Sequence, residues 1–279
     1  MDGADENAAQ VAYWNDVAGQ TWAEMQDLLD RQTEPLGRAV LDRLALAPGE
    51  RVLDVGSGCG QTTLATAEAV GPAGQALGVD ISRPMLAVAR ERAAGAPNVS
   101  FLEADAQTYA FEPAAFDAIH SRFGVMFFED PTAAFVNLRR ALRPGGRLGF
   151  VCWRPMAENP IMSLPLAVAL KRLPSPQPPT PGAPGPFAFA DGERLRGILE
   201  PAGFADVSIA PQDMATGGNT LDEAVGLALR MGPLGAMLRE HPDVRGAVVD
   251  DIRDALSEHV VDGRVMLASA TWIASARNP

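Results

Sequence analysis

Between Arg51 and Trp153 short apolar runs alternate with amphipathic stretches of helical length, a rhythm that few folds accept. RVLDVG (51–56), ALGVDIS (76–82), VSFLEAD (99–105), FDAIHS (116–121) and RLGFVCW (147–153) read as strands. Helices are expected at 61–70, 84–94 and 131–142, with Pro84 at a first-turn position that suits proline. Strands joined through helices build right-handed βαβ units and a parallel sheet. The strands are almost continuously apolar, as a sheet covered on both faces requires.

The flanks obey a different pattern. Helices are expected over 8–31 and 34–46, ahead of the first strand. After Trp153 the rhythm breaks, and residues 174–186 hold seven prolines in thirteen positions. That stretch forms neither a helix nor a central strand; a stiff surface connector and the edge of a lid both remain open. A helix at 191–201, a strand near 205–211, helical segments at 221–239 and 242–259 and a strand at 264–277 follow. The length of 279 residues suits one large domain. Its expected parts are a helical cap (1–47), a cofactor-binding half (48–153), a proline-rich insertion (154–190) and a second half (191–279) with a cap insertion at 221–259.

Charge narrows the partners. Asp and Glu number 35 against 23 Lys and Arg, a net charge of −12, and Lys171 is the one lysine. Such a surface repels phosphate backbones, so nucleic acid is not expected as a partner. The start, MDGADENAAQ, lacks an apolar leader core, and no run is long enough to span a membrane. A cytoplasmic chain, monomeric or homodimeric, is expected. Cys59 and Cys152 make neither a disulfide framework nor a metal cluster.

The turn GSGCG (56–60) joins the first strand to a helix. Glycines let a ligand approach the backbone, and the free N–H groups of the helix start favour an anion. A dinucleotide fold wants Gly-x-Gly-x-x-Gly, but here the glycines are 56, 58 and 60, with Gln61 where the pattern needs glycine. Asp80 ends the second strand, where a carboxylate can accept from ribose hydroxyls or cap a helix, although Ser82 suits the cap better. Asp105 ends the third strand; it is placed to meet an adenine amino group, or is a solvated turn acid.

VLDVGSGCG, GVDIS, EADAQ, FDAIHSRFGVMFF and LRRALRPGGRL, in this order over 51–153, resemble class I S-adenosylmethionine-dependent methyltransferases. The similarity is to the group that holds the ubiquinone and menaquinone biosynthesis C-methyltransferases and many small-molecule methyltransferases. FADGERLRGILEPAGFADVSI (189–209) resembles the family's later helix and strand. The resemblance implies a Rossmann-like α/β fold: a seven-stranded, mostly parallel sheet with helices on both faces, the last strand antiparallel, plus helical caps. It implies S-adenosylmethionine as cofactor and S-adenosylhomocysteine as product. Gly56, Ser57, Gly58 and Gly60 would form the loop beneath the methionine part, with Asp54 holding the loop and reaching the amino group. Asp80 would take the ribose hydroxyls, Ile81 and Met85 the adenine face, and Asp105 and Ala106 the adenine edge. Ser121 and Phe123 would face the amino acid moiety and the methyl group, and Trp22 would join the cofactor wall.

Methyl transfer to a good nucleophile needs alignment more than proton transfer, so a catalytic triad is not required. His120 is the candidate base, with a packed strand residue as its other reading; Arg122 would bind a substrate oxygen or form an ion pair in the fold. Tyr13, Trp14, Met126, Phe127, Trp153 and Met231 are the candidate substrate wall, which implies a small apolar or aromatic acceptor presenting oxygen, carbon or nitrogen. No metal is expected. A nicotinamide-dependent oxidoreductase and a non-catalytic cofactor-binding protein are the alternatives, the first disfavoured by the glycine spacing and Asp105.

Overall fold

A computed structural model describes residues 7–176, 180 and 182–279. The first six residues, and 177–179 and 181 of the proline-rich stretch, lie outside the described residues, so the lid-or-connector question for 174–186 falls partly on them.

Three helices lead: α1 (Ala8–Asn15), α2 (Val17–Glu24) and α3 (Gln26–Leu44). Strand β1 (Arg51–Val55), α4 (Gln61–Val70), β2 (Gln75–Asp80), α5 (Arg83–Arg92), β3 (Val99–Glu103), β4 (Phe116–Arg122), α6 (Pro131–Ala141) and β5 (Leu142–Trp153) supply the βα rhythm. Then come α7 (Pro160–Ala169), α8 (Gly192–Leu199), β6 (Ala205–Asn219), α9 (Leu221–Ala228), α10 (Gly232–Glu240), α11 (Arg245–Ser257), β7 (Val260–Val261) and β8 (Arg264–Arg277). The sheet runs β3-β2-β1-β4-β5-β8-β6, with β7 paired to β8. Strands β1 to β5 pair in parallel, and β8 lies antiparallel between β5 and β6.

The differences from expectation have local causes. The first helix breaks at Asp16, whose φ −102° and ψ −146° are not helical, and again at Met25. Helix α3 runs unbroken through Pro35, four residues after Arg31, so the expected gap at 32–33 is absent. Its buried stripe (Leu29, Leu36, Val40, Leu44) holds it in place despite the lost backbone donor. Strand β6 continues to Asn219 because it pairs with β8 along its length, and α7 occupies part of the expected proline-rich insertion.

Phe135 of α6 packs against Phe150, Phe189 and Phe204, all buried in the main core with Leu53 and Ile119. Each fully buried large apolar side chain contributes about 1.5–3 kcal/mol. A second apolar cluster joins Val168 of α7 to Leu229, Leu238, Val248 and Ile252 of the segment after β6. The expected cap therefore gains α7. Among the described residues no helix is long and apolar enough to cross a membrane.

Candidate cofactor and substrate site

The parallel strands β1, β2, β3 and β4 end at one edge, and the loops there carry the glycines and acids singled out by sequence. The chain leaves β1 through Gly56, Gly58 and Gly60, with φ of +69°, +53° and +82°. Gly56 and Ser57 donate backbone N–H to Val79 O, which ties the loop to β2. A Cβ on Gly56 would stand 2.6 Å from Gly124 Cα, so two backbones touch there. Among the described residues a Cβ on Gly58 would meet only Met85 Sδ, at 3.8 Å. Space is thus open above Gly58 and closed beneath Gly56.

Asp80 braces the loop from the next strand. Its Oδ2 accepts from Gly58 N at 2.7 Å and its Oδ1 from Ser82 N at 2.8 Å. Ser82 stands at the N-cap of α5, yet its hydroxyl donates to Trp14 O instead of capping. Burial raises the Asp80 carboxyl to about 6; the bonds from Ser82 and Gly58 oppose the rise, and the Asp54 charge adds to it. Asp105 accepts from Gln107 N at 2.8 Å and from Asn7 Nδ2 at 3.1 Å, and Ala106 beside it is buried. Ile81 O accepts from Asn15 Nδ2.

Asp54 is buried beneath the loop. Its Oδ2 accepts from Thr62 and Thr63 hydroxyls, both at 2.7 Å, which fixes the start of α4. His120 lies behind it, 1% exposed, with Nε2 2.7 Å from Thr66 Oγ1 and Nδ1 3.4 Å from Asp54 Oδ1. Burial lowers its pKa. This placement corrects the expectation of a base: the ring is closed in between β1, β4 and α4 and reaches no open edge. We expect His120→Ala to lower stability by roughly 2–4 kcal/mol, the scale of a buried cavity, while turnover per folded molecule keeps its pH profile. Denaturant melts and a pH–rate series check both; a lost acidic limb would restore His120 as the base.

Arg122 stands in the ion-pair setting that is the second of its two readings. It bonds Gln61 and lies 3.3 Å from Asp30, which also pairs with Arg92 at 2.9 Å. Arg92 donates to Cys59 O, so this ion-pair cluster clamps α3 to the glycine loop. Burial pushes the Cys59 thiol up to about 12, so it is no nucleophile at neutral pH. Ser121 is also unavailable to a cofactor: its hydroxyl donates to Val55 O and accepts from Gly124 N and Val125 N.

Phe123 sits at φ +64°, a left-handed conformation rare for an aromatic residue. Its ring stacks on Trp153 at 4.2 Å, the planes 6° apart. Trp14 packs edge-on against Phe127 at 5.0 Å and Trp22 at 5.9 Å. Trp22, expected against the cofactor, packs with Met25, Leu29, Leu227 and Met231, joining α2 and α3 to α9. Met126 is 1% exposed and buried in the main core. Tyr13 is 53% exposed and touches the edge of Trp14, a surface position and not a pocket wall. Among the described residues no group of three His, Cys, Asp or Glu side chains is placed to hold a metal.

Sequence reasoning missed Asn7, Asn15, Asp30 and Gly124. Only Gly124 left a trace, as a glycine two residues past the fourth strand's end.

Strand order 3-2-1-4-5 with an antiparallel strand inserted before the edge, glycines at the β1 turn and acids at the ends of β2 and just past β3 make an edge of the kind that takes a nucleoside cofactor. Residues 52–146 match the methyltransferase domain family. The chain is 28% identical over 241 residues to nocamycin O-methyltransferase of Saccharothrix syringae, across 83% of this chain and 86% of that one. It is 36% identical over 109 residues to a demethylmenaquinone methyltransferase of Staphylococcus aureus, across 39% of this chain but only 45% of that one. In fold it is similar to phosphoethanolamine N-methyltransferase 2 of Haemonchus contortus in complex with S-adenosyl-L-methionine, with a TM-score of 0.60 at 19% identity over 100% of this chain and 61% of the other. S-Adenosylmethionine fits the residues on this edge: the space above Gly58 admits a ligand against backbone, and Ser57 Oγ is buried without a hydrogen-bond partner among the described residues.

Proposed function

We propose that this enzyme methylates a small apolar or aromatic molecule at oxygen, carbon or nitrogen. The observation that carries this reading is the pair of half-buried rings Trp14 and Phe127 near the glycine loop, backed by Phe123 stacked on Trp153 in the core. Flat rings recognise flat, weakly polar partners through buried area. The likeness to nocamycin O-methyltransferase over most of both chains supports a small-molecule acceptor.

The cofactor supplies a sulfonium-bound methyl carbon, already activated for displacement. The loop Gly56–Gly58 is assigned to the methionine part, Asp80 to the ribose, and Ile81, Met85, Asp105 and Ala106 to the adenine. Asp54 acts from beneath by holding the start of α4. Phe123, pinned by Phe123 N to Val151 O, sets one side of the line along which nucleophile, carbon and sulfur must lie. Such alignment supplies about 7–11 kcal/mol of the barrier. The cluster of α7 with α9, α10 and α11 is assigned the choice of acceptor. The net charge of −12 argues against nucleic acid as the acceptor.

Titration calorimetry with S-adenosylmethionine, S-adenosylhomocysteine and NAD tests the cofactor, and a panel of phenols, enols and amines tests the acceptor. Binding of the first two and methylation of a planar acceptor are expected. Tight binding of NAD with no response to the others overturns the reading.

A further inference from the structure

Helix α1 lies across the two acids that the cofactor reading assigns to adenosine. At one end Asn7 Nδ2 donates to Asp105 Oδ2, at the end of β3. At the other, Asn15 Nδ2 donates to Ile81 O at 2.8 Å, Asn15 Oδ1 accepts from Arg83 N at 2.9 Å, and Trp14 O accepts from Ser82 Oγ at 2.7 Å, all just past β2. The helix therefore roofs the gap between Asp105 and Asp80.

Two side-chain oxygens at the N-terminal end of this helix have no hydrogen-bond partner among the described residues. Asn7 is 7% exposed, and its Oδ1 is buried without a hydrogen-bond partner among the described residues. The same holds for Gln10 Oε1. Buried polar atoms in native proteins are nearly always bonded, so such a pair marks the place of a donor. The Asn7 amide cannot be turned around, because an ionised carboxylate only accepts and Nδ2 must face it. Oδ1 is thus an acceptor beside Asp105. Gln10 lies three residues on, one helical turn nearer Ile81 and on the same helix face.

We propose that Asn7 and Gln10 are cofactor ligands contributed by the N-terminal helix: Asn7 shares the adenine 6-amino group with Asp105, and Gln10 accepts from a ribose hydroxyl. The inference rests on the reading that this edge holds S-adenosylmethionine. A 6-amino group carries two hydrogens, one for the Asp105 carboxylate and one for Asn7 Oδ1. Adenine recognition then joins the sheet edge to the N-terminal helix, and bound cofactor holds the roof shut.

The test is calorimetry on the full chain with S-adenosylhomocysteine and with S-inosylhomocysteine, which carries a 6-oxo group instead of the amine. Asn7→Ala is expected to weaken S-adenosylhomocysteine about ten-fold, one lost hydrogen bond, and to leave the inosine analogue unchanged. Gln10→Ala is expected to weaken both alike, because the ribose is common to them. Equal losses for Asn7→Ala on both ligands would show that Asn7 merely props the helix, and unchanged affinity for S-adenosylhomocysteine in either variant would remove that residue from the site. If the unmodified chain binds neither ligand, the cofactor reading itself falls, a result distinct from both.

Discussion

Gly56→Ala is expected to abolish measurable binding of S-adenosylhomocysteine and to lower the stability of the fold. Two effects add at this position. The residue holds φ +69°, which an L side chain adopts at a cost of about 1–2 kcal/mol. The new methyl would also stand 2.6 Å from Gly124 Cα, backbone that cannot swing away. Overpacking of this kind costs about 1–3 kcal/mol more. The strain moves the loop that bears Ser57 and Gly58, so binding falls with stability. Gly95→Ala is the control, because Gly95 has φ +91° with nothing within 4 Å of its Cβ and carries the conformational cost alone. Thermal melts and calorimetry on both variants decide the matter. A Gly56→Ala protein that binds like wild type would show that the Gly56–Gly124 contact does not shape the site.

Asp80→Asn carries the second large effect, and its size depends on pH. The side chain keeps its shape, but one of its two acceptors becomes a donor facing a backbone N–H. Leaving Gly58 N or Ser82 N without an acceptor costs about 1–3 kcal/mol, and the charge-assisted bonds to ribose are lost as well. At pH 7.5 at least a hundred-fold loss of affinity is expected. In wild type, burial raises the Asp80 carboxyl from 3.8 to about 6. The folded state therefore binds more protons than the unfolded chain between those values. Stability falls as pH rises through that window and levels off above it. Ribose hydroxyls donate best to the ionised carboxylate, so cofactor affinity rises as pH climbs from 5 to 7.5, with a proton released on binding. In Asp80→Asn that pH dependence disappears. Affinity that stays flat from pH 5 to 7.5 in wild type would remove Asp80 as the ribose ligand.

The cofactor half was readable because its signals are local. A glycine turn after an apolar strand fixes the strand, the turn and the helix start together, and the acids at 80 and 105 follow from where strands stop. The side of the sheet a residue faces is less plain. His120, Ser121 and Arg122 are consecutive, and alternation sends 120 and 122 to the face that carries α4 and Ser121 to the other. All three are taken up by bonds to Thr66, Val55 and Asp30, partners that sequence spacing cannot name. The N-terminal helices were visible as helical. Their breaks at Asp16 and Met25 were not, since the first follows residues docked onto Ile81, Ser82 and Asp105 and the second lies where Met25 packs against Leu227, and the roof those breaks allow was not visible either.

The position of β8 has a consequence for the order of synthesis. Among the described residues strand β6 pairs in the sheet with β8 alone, which enters between it and β5. Until the ribosome has made residues 264–277, β6 is an orphan, and β5 presents a bare edge. At about 5–20 residues per second, the stretch from Asn219 to Arg277 takes roughly 3–12 s. Through that interval a nascent chain carries a finished cofactor half beside two open strand edges, the kind of surface that pairs with the wrong partner. Chaperone engagement should peak in that interval, and ribosome-bound chains stalled before residue 264 should be the form that aggregates.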